Sequence, residues 1–224
     1  GDREAMTLSI RCAGWVALCF AALITSAFQT PASSLPTKAI RFGRLVDGAG
    51  HVLEKATVIV EKDRIMRVLA GDEAPPKGAE VIDLSRYTGI PGLIDAHTHM
   101  TYYCDPAAGG SPWEQVITER LPAVTVFLAQ ENARKTLEAG VTTVRDLGSL
   151  NDMDIAMRDL INRGAMTGPR MFVSGRGLHV SYKFTKQGTF GKEESIVDGV
   201  PEILNSVRAL ILGKEVDVIK MYGS

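Results

Sequence analysis

Cysteine is scarce in this chain: three in 224 residues, two of which, Cys12 and Cys19, fall in an N-terminal stretch that reads as removable. With that stretch gone only Cys104 remains, so an intrachain disulfide is excluded and the fold must rest on its apolar core. An excess of charge of either sign is missing too. The chain has 25 basic and 26 acidic residues, interleaved as in Glu61-Lys62-Asp63-Arg64 and Lys192-Glu193-Glu194. Without a basic stripe interleaved with aromatics, a nucleic-acid partner is not expected. A glycine-rich phosphate loop is absent from the place where a dinucleotide-binding sheet needs one. Met100-Thr101-Tyr102-Tyr103 stands there instead, and Gly89-Ile90-Pro91-Gly92 precedes a strand rather than opening a helix. The N-terminal apolar stretch Ala13 to Ala27 is uncharged but too short to span a bilayer comfortably.

What that stretch does carry is the layout of an export signal. Met6 reads as an initiator and Arg11 as a positive n-region, and small residues at Thr25 and Ala27 offer cleavage before Phe28. Residues 1–27 are therefore expected to be signal peptide plus leading residues, and 28–36 a flexible lead-in. The mature protein is expected to be exported, periplasmic or secreted, without stable membrane association. An uncleaved membrane anchor is the alternative.

Past the lead-in, short runs rich in β-branched residues (38–42, 56–60, 65–70, 80–84) alternate with turn signals such as Asp47-Gly48-Ala49-Gly50. Residues 37–88 are predicted to form a small antiparallel β unit. From Gly89 the texture changes to alternating strands and helices: strands at 93–99, 141–146, 170–174 and 216–221, and helices at 114–139 (divided at Pro122), 153–163 and 200–212. Gly140, Gly164 and Gly213 stand where helix C-termini call for glycine. Parallel strands with crossover helices imply an α/β sheet or barrel, and four strands would be half of a closed eight-stranded barrel. An open doubly wound sheet is disfavoured for want of the phosphate loop.

His97-Thr98-His99 closes the first of these strands, and imidazoles spaced i, i+2 project to the same side. Neutral imidazoles suit zinc and similar divalent ions. Taken alone, a pair of exposed or core histidines is an equal reading. Asp95 shares their face as a supporting carboxylate or a hydrogen-bonded strand residue. Cys104 is close enough to be weighed as a ligand, but it is off the histidine register and reads as a loop or buried thiol. Lys220, with Val216, Val218 and Tyr222, lies on one face of the last strand. An ammonium on an apolar face must be paired, neutralised or modified, and a neutral lysine can take up carbon dioxide as a carbamate whose two oxygens can each hold a metal. Snorkelling or pairing with a carboxylate is the alternative.

These strings together resemble the metal-dependent amidohydrolases, in particular the imidazolonepropionase-like and prolidase-like branch. They are Val58-Ile59-Val60, Gly92-Leu93-Ile94-Asp95-Ala96-His97-Thr98-His99, Ala139-Gly140-Val141-Thr142-Thr143-Val144-Arg145-Asp146-Leu147-Gly148, Gly168-Pro169-Arg170 and Val218-Ile219-Lys220-Met221-Tyr222. The resemblance implies a mixed α/β protein: a (β/α)8 barrel of TIM type, whose first four βα units would be residues 89–224, with a small β-sandwich built from residues 37–88. It implies two divalent ions, taken as Zn2+, with His97 and His99 binding the more buried one and a carbamate on Lys220 bridging both. The remaining ligands and the catalytic aspartate are expected on later strands, so no catalytic residue is assigned here, and the chain reads as truncated and inactive alone.

The expected reaction is hydrolysis of an amide bond in a small molecule, a dipeptide or an N-acyl amino acid, by a hydroxide bridging the metals. Cyclic amides such as imidazolones are the alternative, as is a non-catalytic fragment or binding protein. His179 and Tyr222 are candidate substrate contacts, with structural roles as the competing reading. Arg145 and Asp146 read as structural residues at a strand end. The complete protein is expected to form a homo-oligomer.

Overall fold

The structure is a computed structural model that describes residues 37–105, 107, 121–180 and 196–222. The expected export signal and lead-in, the part of the first helical stretch before Leu121, and residues 181–191 of the long loop after the predicted strand at 170–174 lie outside the described residues. The chain divides into two units between Ile90 and Pro91.

The first unit is one sheet of β1 (Lys38–Val46), β2 (Val52–Glu61), β3 (Arg64–Ala70) and β4 (Glu80–Gly89), in the order β3-β2-β1-β4. Its first reversal is built by Asp47, whose Oδ1 accepts the Ala49 and His51 backbone N–H groups at 2.8 and 2.9 Å, an aspartate turn that leaves the flanking chain antiparallel. β1 with β2 and β2 with β3 are antiparallel, as predicted, but β4 runs parallel to β1. The purely antiparallel reading is thus corrected. Residues 71–79 are not a hairpin: they carry the chain from the β3 edge to the far side of the sheet. There the Glu80 N–H donates to the Thr37 carbonyl at 2.9 Å and starts β4 beside the start of β1. Two small apolar clusters hold the sheet, Ala39 with Ile59 and Leu69, and Leu45 with Ala56 and Val58.

The second unit alternates as the sequence predicted: β5 (Leu93–Thr98), α1 (Pro122–Glu138), β6 (Val141–Asp146), α2 (Met153–Asn162), β7 (Arg170–Val173) and α3 (Val200–Arg208), the last running into a π turn at Ala209–Gly213. Pro122 opens α1 because its fixed φ suits a first helical turn and its missing N–H would have no partner there. Gly140 ends the helix at φ +88°, a conformation costly for any residue with a Cβ. The strands are parallel in the order β5-β6-β7. Val144, Met171 and Val173 of the sheet pack with Ala129 and Ala133 of α1 and Met157 of α2 in a continuous core. All three strands therefore end at the same edge, where the connecting loops collect.

The fourth predicted strand is not formed as a ladder. Residues 216–221 bend at Asp217 and Val218 and carry one isolated bridge, Leu178 with Met221. The reason is Asp217. Its Oδ2 accepts the Val173 N–H at 2.9 Å, while Val173 O accepts from both Asp217 N and Val218 N. A side chain thus occupies the position that the next backbone rung would need. The described residues form a mixed α/β fold of one four-stranded and one three-stranded sheet, and by themselves close neither a barrel nor a sandwich. No helix among them is long and apolar enough to cross a membrane.

Candidate metal centre

β5 delivers the two histidines to the edge where the strands end. The His97 and His99 rings stand 5.3 Å apart between centroids, tilted by 57°. His97 is exposed and its backbone N–H donates to Asp95 Oδ1 at 3.0 Å, so Asp95 braces the strand rather than an imidazole. His99 is half-buried, and its Nδ1 lies 3.1 Å from the Gly148 carbonyl oxygen. A carbonyl can only accept, so Nδ1 carries the proton and Nε2 keeps its lone pair, the tautomer a metal ligand requires. Burial lowers the His99 pKa below its ordinary value; the Gly148 carbonyl opposes this, and the nearby His97 and Lys220 charges lower it further. The neutral form that binds a cation is favoured.

Aromatic rings frame this histidine. Tyr102 stacks on it with centroids 4.4 Å apart and planes 8° from parallel. The Tyr102 and Tyr222 hydroxyls are hydrogen-bonded, and burial raises the pKa of both, so each holds its proton at neutral pH. Tyr222 sits in a slot floored by glycines. A Cβ on Gly148 would lie 2.8 Å from the Tyr222 hydroxyl oxygen, and one on Gly177 would overlap the ring and approach Lys220 Cγ at 3.1 Å. Lys220 Nζ lies 4.8 Å from the Tyr222 ring centroid, a cation–π distance. Backbone bonds from Leu178 N to Lys220 O, 2.8 Å, and from Tyr222 N to Leu178 O, 2.9 Å, fix the segment. His179 is buried, its ring 6.3 Å from that of Tyr222 and edge-on to it.

The candidate ligands His97, His99 and Lys220 and the candidate substrate contacts His179 and Tyr222 therefore lie at one edge of the parallel sheet, linked through Tyr222 and Gly148. His97 is the outermost. Cys104 is half-buried, and among the described residues no three His, Cys, Asp or Glu side chains converge.

Sequence reasoning passed over Tyr102, Gly148 and Asp154 and left Asp146 as a structural strand end. Asp146 is fully buried, and its Oδ1 accepts Met100 N at 2.7 Å and Thr98 Oγ1 at 3.0 Å. Burial pushes its pKa up to about 7, eased by the Met100 N–H, reinforced by Asp154 and eased again by Thr98. Asp154 is pushed up to about 6, again by burial first, against the Gly175 and Ile155 N–H groups that it accepts. One available signal was position: Asp146 ends β6 as the histidines end β5, and strand ends are where such a fold places its chemistry.

Comparison with known proteins decides the family. The model of the amidohydrolase family matches residues 88–224. The chain belongs to the amidohydrolase family. Among solved structures, this amidohydrolase chain is similar to a Xaa-Pro dipeptidase with bound methionine in its active site, at 26% identity and a TM-score of 0.69, covering 83% of this chain and 46% of that one. It is also similar to phenylurea hydrolase B, at 31% identity and a TM-score of 0.62, covering 83% and 45%. A prolidase complexed with N-methylphosphonate-L-proline shares the fold, at 23% identity and a TM-score of 0.65, covering 83% and 46%. The chain thus spans less than half the length of these structures. No curated protein matches it. Amidohydrolases are generally metal-dependent. The donor set fits such a group: an imidazole with its tautomer set by Gly148, a second imidazole beside it, and a lysine near enough to lower the first one's pKa.

Proposed function

We propose that the protein is a metal-dependent hydrolase of amide bonds acting on a dipeptide or an N-acyl amino acid. The observation that carries this reading is the meeting of His97 and His99 with the Lys220–Tyr222 segment at one sheet edge, with the His99 tautomer already set for a ligand. The family match and the likeness to a Xaa-Pro dipeptidase support the amide chemistry. His97 and His99 would hold a divalent ion, taken as Zn2+, and a carbamate on Lys220, formed as carbon dioxide adds to Nζ with loss of one proton, would supply oxygen donors for two such ions. Ions bound there supply Lewis acidity and a water of lowered pKa. Tyr222, which retains its proton, hydrogen-bonds the substrate carbonyl or carboxylate, and His179 lies beside it to contact the substrate. Export through residues 6–27 places the enzyme outside the cytoplasm, where it acts without nucleic-acid partners and as a homo-oligomer.

The test is metal content and hydrolysis of dipeptides, N-acyl amino acids and cyclic amides by the full-length gene product and its Lys220→Ala variant. Two equivalents of metal, with a loss of both binding and turnover in the variant, are expected. Undiminished metal and rate in Lys220→Ala would remove the carbamate. Turnover of cyclic amides alone would move the substrate to that class, and no turnover of any would favour a binding protein.

A further inference from the structure

We infer that Asp146 is a positioning residue for the metal ligands: its buried carboxylate clamps the two residues that bracket His99 and so sets the His97–His99 pair. This rests on the metal reading above. Pairing between β5 and β6 shifts register between Asp95 and Thr98 and ends at the Thr98–Asp146 pair. Asp146 takes over where the ladder stops. A single oxygen, Oδ1, receives Thr98 Oγ1 at 3.0 Å and Met100 N at 2.7 Å, so the backbone on both sides of His99 is drawn to one fixed point. Its chain neighbours complete the clamp: Leu147 N donates to Thr98 O at 2.9 Å and Gly148 O accepts His99 Nδ1 at 3.1 Å. Residues 146–148 thus fix residues 98–100 through backbone, hydroxyl and imidazole together, which leaves the ring little freedom to turn away from a metal.

A purely structural role does not account for an acid here. Asp146 is 0% exposed, and among the described residues its Oδ2 has no hydrogen-bond partner. Burying an incompletely paired carboxyl costs stability that an apolar side chain of similar size would spare. What the acid supplies in return is an acceptor aimed at two donors on the ligand-bearing turn. Groups that orient metal ligands in this way typically govern affinity by about 10- to 100-fold.

The test uses the full-length protein, with Zn2+ affinity measured by competition with a chromophoric chelator and ligand geometry read from the visible spectrum of the Co2+ form. Asp146→Ala is expected to raise the Zn2+ dissociation constant by about 10- to 100-fold and to alter the Co2+ bands. Asp146→Asn, which keeps an oxygen in the Oδ1 position, restores most of the affinity. Thr98→Val, which removes one of the two donors and keeps the side-chain shape, weakens binding less than the alanine variant. Wild-type affinity and spectrum in folded Asp146→Ala and Thr98→Val, even with lowered melting temperatures, would overturn the inference while leaving the metal reading intact. So would an asparagine variant as weak as the alanine one. If Asp146→Ala does not fold, Thr98→Val and Asp146→Asn decide by the same criteria. A wild-type protein that binds no metal would overturn the proposed function and this inference with it.

Discussion

At the scale of single residues, Gly148 joins two parts of the site, because its carbonyl holds His99 while its missing Cβ makes room for Tyr222. It stands at φ +118°, where an L side chain is strained, and an added Cβ would lie 2.8 Å from the Tyr222 hydroxyl oxygen. Gly148→Ala is expected to cost about 1–3 kcal/mol of stability and to displace Tyr222 from the site. Thermal unfolding with and without Zn2+ checks this, and an unchanged melting temperature would refute it. Asp146 and Asp154 make a second residue-scale prediction. Their pKa values rise from the ordinary 3.8 to about 7 and about 6 in the folded state. Between about pH 4 and pH 7 the folded protein therefore holds more protons than the unfolded chain, and stability falls as the pH rises through that window. The slope is at most about 1.4 kcal/mol per pH unit for each group. Denaturant titrations of the metal-free protein at pH 5 and pH 8 should show the fall, and Asp146→Asn should remove its own share. His97-Thr98-His99 and Lys220 were legible as chemistry because their residue types are expensive or purposeful on apolar strands. Gly148 and Tyr102 were not, since what they do is contact residues far away in the chain.

At the scale of elements, the alternation of strand and helix in residues 93–213 followed from period and from breakers alone. Pro122 and Gly140 bound α1, and the β-branched run Val141–Val144 opens β6. Two elements departed from their local signals. β4 looks like another hairpin strand, but residues 71–79 lead across the sheet, and strand direction is set by where a link ends rather than by the strand's composition. Residues 216–221 have the pattern of a strand, yet Asp217 places its carboxylate on the Val173 N–H. That bond also draws in Arg158, whose Nη1 lies 3.4 Å from Asp217 Oδ2. Asp217→Ala is expected to leave the N–H of buried Val173 without a partner and to cost about 1–3 kcal/mol. Amide hydrogen exchange at Val173 should accelerate relative to Val144, and unaltered protection would argue that the backbone alone holds the segment.

At the scale of the molecule, the second unit buries one face of its sheet against α1 and α2 but leaves other apolar surface open. Leu93 and Ile94 on edge strand β5 are 54% and 72% exposed, and Phe127 of α1 is 75% exposed. Surface of that kind, beside a strand edge that no other strand pairs among the described residues, invites association. Residues 37–224 produced alone are expected to self-associate with rising concentration in light scattering. A monodisperse preparation at all concentrations would refute this.

The sequence by itself determined the family, the mixed α/β character, the order of the second unit's elements and the residue types that can hold a metal, because these depend on period, breakers and chemical identity, which are local properties. Only the tertiary structure decided that Gly148 sets the His99 tautomer, that Asp146 reaches back across the sheet to Thr98 and Met100, and that Tyr102 meets Tyr222. Those relations join positions tens of residues apart in the chain. They exist only once parallel strands bring their ends to one edge.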